Sequence, residues 1–166
     1  MKKIPKRAIL PFLFFCLSAN VHLNAQSMNN EQLGKIFNLL ADTILVEEDG
    51  MWQFLVIETP MMCITDEYNN RMRIVAPIKK VEEMEEGELT KCLEANFHTA
   101  LDVKYAISEG IIWSVFIHPL KELSNNQAVD AITQVRAAAQ TYGKDYSSTN
   151  LVFPKTEKKE RKTWKN

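Results

Sequence analysis

The chain has 166 residues, 46% of them hydrophobic and 25% charged, so it is long enough for one domain with short appendages and too apolar to be disordered throughout. Its formal net charge is −1. Only five glycines occur, none spaced as in a phosphate-binding loop, and no CxxC, HExxH or nucleophile-elbow motif is present. The residue chemistry therefore indicates no catalytic residues and no cofactor, and it shows no reaction.

The N-terminus has the pattern of a secretory signal. Basic residues open the chain, apolar residues fill most of positions 8–19, and the small residue Ala25 precedes Gln26. The apolar run of about a dozen residues is shorter than the roughly 20 that span a bilayer. We therefore predict a signal peptide over residues 1–25, cleaved between Ala25 and Gln26, with no transmembrane segment afterwards and a periplasmic or secreted location. The alternatives are a retained anchor, cleavage after Ala19 and a lipoprotein at Cys16.

The charge is unevenly distributed along the chain. Residues 1–25 hold four basic and no acidic residues, and residues 155–166 hold six basic and two acidic ones. Residues 26–154, the predicted domain, therefore carry a net charge of −9. A domain this acidic repels phosphate backbones, which argues against nucleic-acid binding. The charged segment 155–166 is predicted to be a disordered tail.

The first half of the domain predicts one helix followed by a sheet. Asn29 marks the helix start, and apolar residues recur at helical spacing over residues 33–44. Strand patterns follow over residues 51–58, 61–65 and 71–76, separated by turn residues. Their alternation of apolar and polar residues is typical of an antiparallel sheet with one more solvated face.

The second half predicts a helix, a hairpin and a closing helix. Helical spacing recurs over residues 89–101, and strands over 103–107 and 111–118 flank a turn. A capping box at Ser124 opens the last helix, which ends before Gly143. The order αβββαββα, with about five strands, predicts an α+β domain whose helices cover one face of an antiparallel sheet.

Cysteine and histidine supply the only candidates for a metal or redox site. Cys63 and Cys92 either form one disulfide, because an exported chain meets an oxidising compartment, or are two small buried hydrophobic side chains. No local spacing joins His98 and His118 to each other or to the cysteines, so no metal site is predicted. The glutamate-rich run 81–88 lacks the ligand pattern of a cation loop and is predicted to be an exposed charged face.

The strand over residues 111–118 supplies the candidate binding surface. One side of it is wholly apolar and is assigned to the core: Ile111, Trp113, Val115 and Ile117. The other side is mixed: Ile112, Ser114, Phe116 and His118. Ile112 and Phe116 are more apolar than a solvated face requires. We therefore predict that Ile112, Phe116 and His118 form a surface for a protein partner or a second subunit.

The chain resembles the type III secretion chaperone-like superfamily, which includes the CesT-type Tir chaperones and the YbjN-like proteins. The resemblance rests on the hairpin YAISEGIIWSV at residues 105–115, the Pro119-Leu120 step and the closing helix over 129–142 with Gly143. It spans about residues 29–143. It implies a non-enzymatic α+β protein whose relatives bind polypeptides, often as homodimers. The predicted export signal is a departure from such chaperones, which act in the cytoplasm.

Two functions follow from these observations. The first is an exported, non-enzymatic, chaperone-like module that binds an unidentified protein or peptide segment and forms a homodimer. The alternative is a small-molecule or metal-binding envelope protein that uses His98, His118 and the cysteines.

Overall fold

The structure, a computed structural model, describes residues 27–151. The predicted signal peptide with its cleavage site at Ala25 and Gln26, and the predicted tail 155–166, lie outside the described residues. The elements, in chain order, are α1 (Asn30–Leu40), β1 (Thr43–Glu48), β2 (Met51–Val56), β3 (Thr59–Asp66), β4 (Arg71–Lys80), a 3-10 turn (Val81–Glu83), α2 (Glu88–His98), β5 (Lys104–Ser108), β6 (Ile111–His118) and α3 (Asn125–Thr141).

The strands form one antiparallel sheet in the order β1-β2-β3-β4-β6-β5. The three helices of the described chain lie on one face of this sheet and bury the core between the layers. The predicted α+β class and antiparallel sheet are therefore confirmed, with six strands rather than about five. No helix within residues 27–151 is long and apolar enough to cross a membrane.

The additional strand is β1. The helical spacing over residues 33–44 predicts that its first residues belong to the end of α1. The helix begins where predicted, because the Asn29 side chain accepts a hydrogen bond from the backbone N–H of Gln32 at 2.9 Å. It ends at Leu40, and Ala41 is already extended. Ile44 then pairs with Phe54 across the sheet, so it packs on the same core from a strand instead of a helix.

Under α1, aromatic rings meet across the boundary between the helix and the sheet. Phe37 of α1 stacks on Phe54 of β2, with ring centroids 4.7 Å apart, and lies 5.4 Å from the ring of Trp52. All three side chains are buried. Such pairs contribute beyond the area they bury, so they fix the position of α1 on the sheet.

Helix α3 packs closely over the middle of the sheet because half of its buried residues are alanines. Its capping box joins Ser124 and Gln127 as predicted. The buried residues of α3 include Ala128, Ala131 and Ala138. This close approach brings the Ser114 hydroxyl of β6 within 2.8 Å of the Val135 carbonyl, to which it donates a hydrogen bond.

The buried and exposed sides of β6 are the opposite of those predicted from the sequence. Ile112, Ser114 and Phe116 face the helices and are buried, whereas Ile117 is 62% exposed. The register explains this, because Phe116 lies opposite the buried Ile74 of β4. The serine had suggested a solvated side, but a small hydroxyl that bonds a helix carbonyl fits an interior position under α3.

Candidate functional site

The sheet face opposite the helices carries a broad apolar surface. We call it the open face. It is made of the outward residues of five strands: Leu45, Gln53, Leu55, Met62, Ile64, Arg73, Pro77, Trp113, Val115 and Ile117. Each is half-buried or exposed, since neighbouring side chains shield it but no helix covers it. An uncovered apolar sheet face of this breadth is typical of an interaction surface.

Strand register arranges these side chains in rows that cross the sheet. One row runs through Gln53, Met62 and Val115, with the buried Val75 of β4 between the last two. Cross-strand neighbours of this kind lie about 5 Å apart, so each row is continuous. The open face therefore presents a continuous surface across several strands.

A shallow depression of about 210 Å³ lies beside these rows. Its lining includes Leu45 from a bulge in β1, Pro60 and Met62 from β3, and Trp113 from β6. The Trp113 ring is held in place, because its Nε1 donates a hydrogen bond to the Ser108 carbonyl at 3.2 Å. A fixed, half-exposed tryptophan beside a flexible methionine offers a site for one apolar anchor side chain.

The open face has a cation, Arg73, near its centre, and a second cation, Lys104, lies on the neighbouring edge strand β5. Arg73 is exposed and lies in register between Ile64 of β3 and Ile117 of β6. Lys104 is exposed opposite Val115. No salt bridge within residues 27–151 involves Arg73 or Lys104. Neither cation has a carboxylate partner among these residues, although the Lys104 ammonium donates a hydrogen bond to the Leu101 carbonyl.

The residues predicted as the partner surface are not on this face. Ile112 and Phe116 lie beneath the helices, so the prediction that they contact a partner is wrong. His118 is half-buried at the end of β6, where its ring lies parallel to that of Phe116 at 5.8 Å. Its Nδ1 is 2.7 Å from the Pro119 carbonyl oxygen.

In the structure Cys63 and Cys92 are buried free thiols and do not form the disulfide that was one of the two alternatives. Cys63 lies on β3 beneath the helices and Cys92 lies on α2. Burial raises the pKa of both thiols, that of Cys92 to about 11. The described part of the chain contains no group of three or more His, Cys, Asp or Glu residues that could hold a metal ion.

The glutamate-rich run is exposed except at Glu88, which ties three elements together. The Glu88 Oε2 accepts hydrogen bonds from Lys79 Nζ of β4 at 3.1 Å, from the Tyr142 hydroxyl at 3.0 Å and from the Glu85 backbone N–H at 3.0 Å. Burial by itself raises the pKa of this carboxyl, but these donors outweigh it and hold the pKa below the usual value. Glu88 is therefore structural.

Sequence reasoning missed the open face because it judged β6 in isolation. The signal that would have identified the correct side was in β4, where the exposed Arg73 alternates with Met72 and Ile74. Pairing β4 with β6 places Ile117 beside Arg73 and Phe116 beside Ile74.

Comparison with known proteins finds similar structures but no significantly similar sequence. No model of a known protein family matches the chain, and no curated protein is significantly similar. Among solved structures, the fold is similar to a chain of the HopA1–SchA chaperone–effector complex, with a TM-score of 0.53 and 10% identity over 68% of this chain and 90% of that chain. It is also similar to a chain of the ExsC–ExsE complex, with a TM-score of 0.54 and 15% identity over 68% of this chain and 89% of that chain. The chain therefore has the type III secretion chaperone-like fold.

Proposed function

We propose that this protein is an exported, non-enzymatic, chaperone-like module that holds a segment of a partner polypeptide on the open face. The observation that carries the proposal is the broad apolar sheet surface that the helices leave uncovered. The fold supports it, because one of its structural neighbours is the chaperone of a chaperone–effector complex.

The chemistry of the open face defines the class of partner segment. Its apolar rows favour a segment with several aliphatic or aromatic side chains. Arg73, flanked by Ile64 and Ile117, favours a carboxylate placed among those apolar residues. Because the rest of the domain is acidic, a partner that is negatively charged throughout is repelled.

A metal-binding or small-molecule role has less support. His98 is exposed on α2, His118 ends β6 and Cys63 is buried on β3, so these groups lie on three different elements. The depression beside Trp113 is shallow and smaller than the roughly 300–1,000 Å³ of typical small-molecule sites. It fits one side chain of a larger partner.

Two parts of the proposal, the location of the protein and its homodimer, have less support. The basic and apolar pattern of residues 1–25 motivates a periplasmic or secreted location after cleavage between Ala25 and Gln26. Mass spectrometry of the protein isolated from its own cell envelope tests this location, with a mature N-terminus at Gln26 expected.

The uncovered apolar face motivates a homodimer, in which two open faces meet when no partner segment is bound.

Site-specific photocrosslinking tests the partner surface. A photoreactive residue in place of Ile117 on the open face is expected to give a discrete protein adduct in the native envelope. The same residue in place of Leu39, which is 82% exposed on α1, is the control and is expected to give none. Arg73→Glu should lower the adduct yield several-fold, since it reverses the charge next to position 117. Equal adducts from both positions, or none from position 117, would contradict the proposal.

A further inference from the structure

The inner strands of the open face offer side chains to a binding partner but few backbone groups. Strands β2, β3, β4 and β6 are each paired on both sides, so their N–H and C=O groups are used in hydrogen bonds within the sheet. A polypeptide held on this face must therefore satisfy its own backbone hydrogen bonds. A helix does so within itself, whereas a single extended segment depends on water, which a close apolar contact excludes.

The two edges of the sheet are poorly suited to take an extended segment instead. On β5, the Tyr105 N–H donates to the Asn96 Oδ1 at 2.7 Å, and the Asn96 Nδ2 donates to the Tyr105 carbonyl at 3.1 Å. The Asn96 side chain of α2 thus takes the place of a neighbouring strand at this position. On β1, a bulge interrupts the register between Ile44 and Val46, and bulges disfavour pairing of an edge with another chain. The arrangement favours a partner segment on the open face over one added to an edge.

Two features of the open face lie at opposite ends of a short track along β4 and β6. At one end is the depression, whose lining includes Pro77 and Trp113, a pair across the two strands. At the other end Arg73 pairs with Ile117. Trp113 and Ile117 are four residues apart on β6, so the track is about 13 Å long.

Arg73 makes this track selective. Ile64 and Ile117 flank it on the neighbouring strands, so a segment packed on these isoleucines shields the guanidinium from water. No salt bridge among residues 27–151 compensates its charge. Removing water from an unpaired cation is unfavourable unless the occupant brings a carboxylate. The occupant therefore needs an apolar anchor at the depression and a carboxylate at Arg73.

A helix can supply both groups from one side. Residues seven positions apart lie on the same side of a helix and about 10 Å apart along its axis. The long, flexible arginine side chain spans the remaining few ångströms of the track. A helix of about three turns is thus enough to contact both ends.

We propose that the occupant of the open face is an amphipathic helix of the partner protein. It places an aliphatic or aromatic residue in the depression beside Trp113 and an Asp or Glu, seven positions away on the same side, against Arg73. This inference rests on the proposed function, because it specifies the segment that the open face holds. It adds the conformation of that segment and the spacing of its two recognition residues.

Designed helical peptides test the inference. The protein is the chain of residues 26–166, which contains the whole buried core. Each peptide has an apolar stripe with one tryptophan anchor and one glutamate, seven positions after the anchor in one peptide and seven before it in another. One of the two should bind about tenfold more tightly than an isomer whose glutamate is nine positions from the anchor, on the opposite side of the helix. A proline at the centre of the tighter peptide should remove its binding, because it breaks the helix.

Charge reversal in the protein separates pairing with Arg73 from general adhesion to an apolar face. Arg73→Glu should weaken binding of the tighter peptide about tenfold, and a lysine in place of the peptide glutamate should restore binding to this variant. Lys91→Glu is the control and should bind as the wild type does, because it makes the same change of charge at an exposed position of α2 in the helix layer.

Three results would overturn the inference: equal affinity of the peptide isomers, binding that survives the proline, or no binding by any peptide. The proposed function has its own test in crosslinking at position 117. A surface that crosslinks a partner but does not prefer the helical peptide therefore contradicts the helix and its spacing alone.

Discussion

At the scale of single residues, two neighbours on β6 have opposite surroundings. Phe116 is buried against Ile74 and the helix layer, whereas Ile117 is 62% exposed next to Arg73. Their alternation is as regular as in any strand, but the sequence of β6 by itself does not say which side is inside. Ser114 was the misleading residue, because its polarity is satisfied by the Val135 carbonyl and not by water.

This assignment of faces predicts unequal costs of truncation. Phe116→Ala should lower the free energy of unfolding by about 3 kcal/mol or more, because it leaves a cavity under the helices. Ile117→Ala should cost less than about 1 kcal/mol, since the side chain is already in water. Urea unfolding of both variants measures the difference. A larger loss at position 117 than at position 116 would mean that the strand is reversed.

At the scale of elements, the sequence predicted what local patterns determine and missed what packing determines. The Asn29 and Ser124 caps were predicted correctly, because a cap is a local hydrogen bond. Strand β1 was missed because Ile44 fits both a helical stripe and a strand packed on Phe54. The exposed side of α2 was also missed, since periodicity gives the width of an apolar stripe but not how much of it a neighbour covers.

The junction of α2, β4 and α3 predicts a pH-dependent contribution to stability. The Glu88 carboxylate is buried among donors from Lys79 and Tyr142, and its pKa in the folded state lies below the unfolded value. Such a group stabilises the fold above the unfolded pKa, and the contribution is lost as pH falls through the folded pKa. Glu88→Gln should therefore be less stable than the wild type at neutral pH, and the gap should narrow on acidification.

Urea midpoints measured from neutral pH down to about pH 3 give this comparison. Glu86→Gln serves as the control, because Glu86 is exposed two residues away. A gap between wild type and Glu88→Gln that stays constant over the whole range would show that the carboxylate charge is not what holds the junction.

At the scale of the whole molecule, one layer of helices covers one side of the sheet and leaves the other side in water. The proposed homodimer follows from this asymmetry. Light scattering of residues 26–166 should give twice the mass of one chain, and Ile117→Asp should return it to a single chain. Phe97→Ser should remain dimeric, because position 97 lies outside the open face. A strict monomer at high concentration would remove the homodimer and leave the partner-binding proposal to its own test.

The strand order has a consequence for how the chain folds. Strands β1 to β4 pair in sequence order through short turns, so this meander closes only small loops. Pairing of β6 with β4 must bring together segments separated by α2 and β5, which costs more loop-closure entropy. We therefore expect the meander to form early and the β5–β6 hairpin to join it late. The open face, to which β6 contributes Trp113, Val115 and Ile117, is then complete only when the last strand has docked.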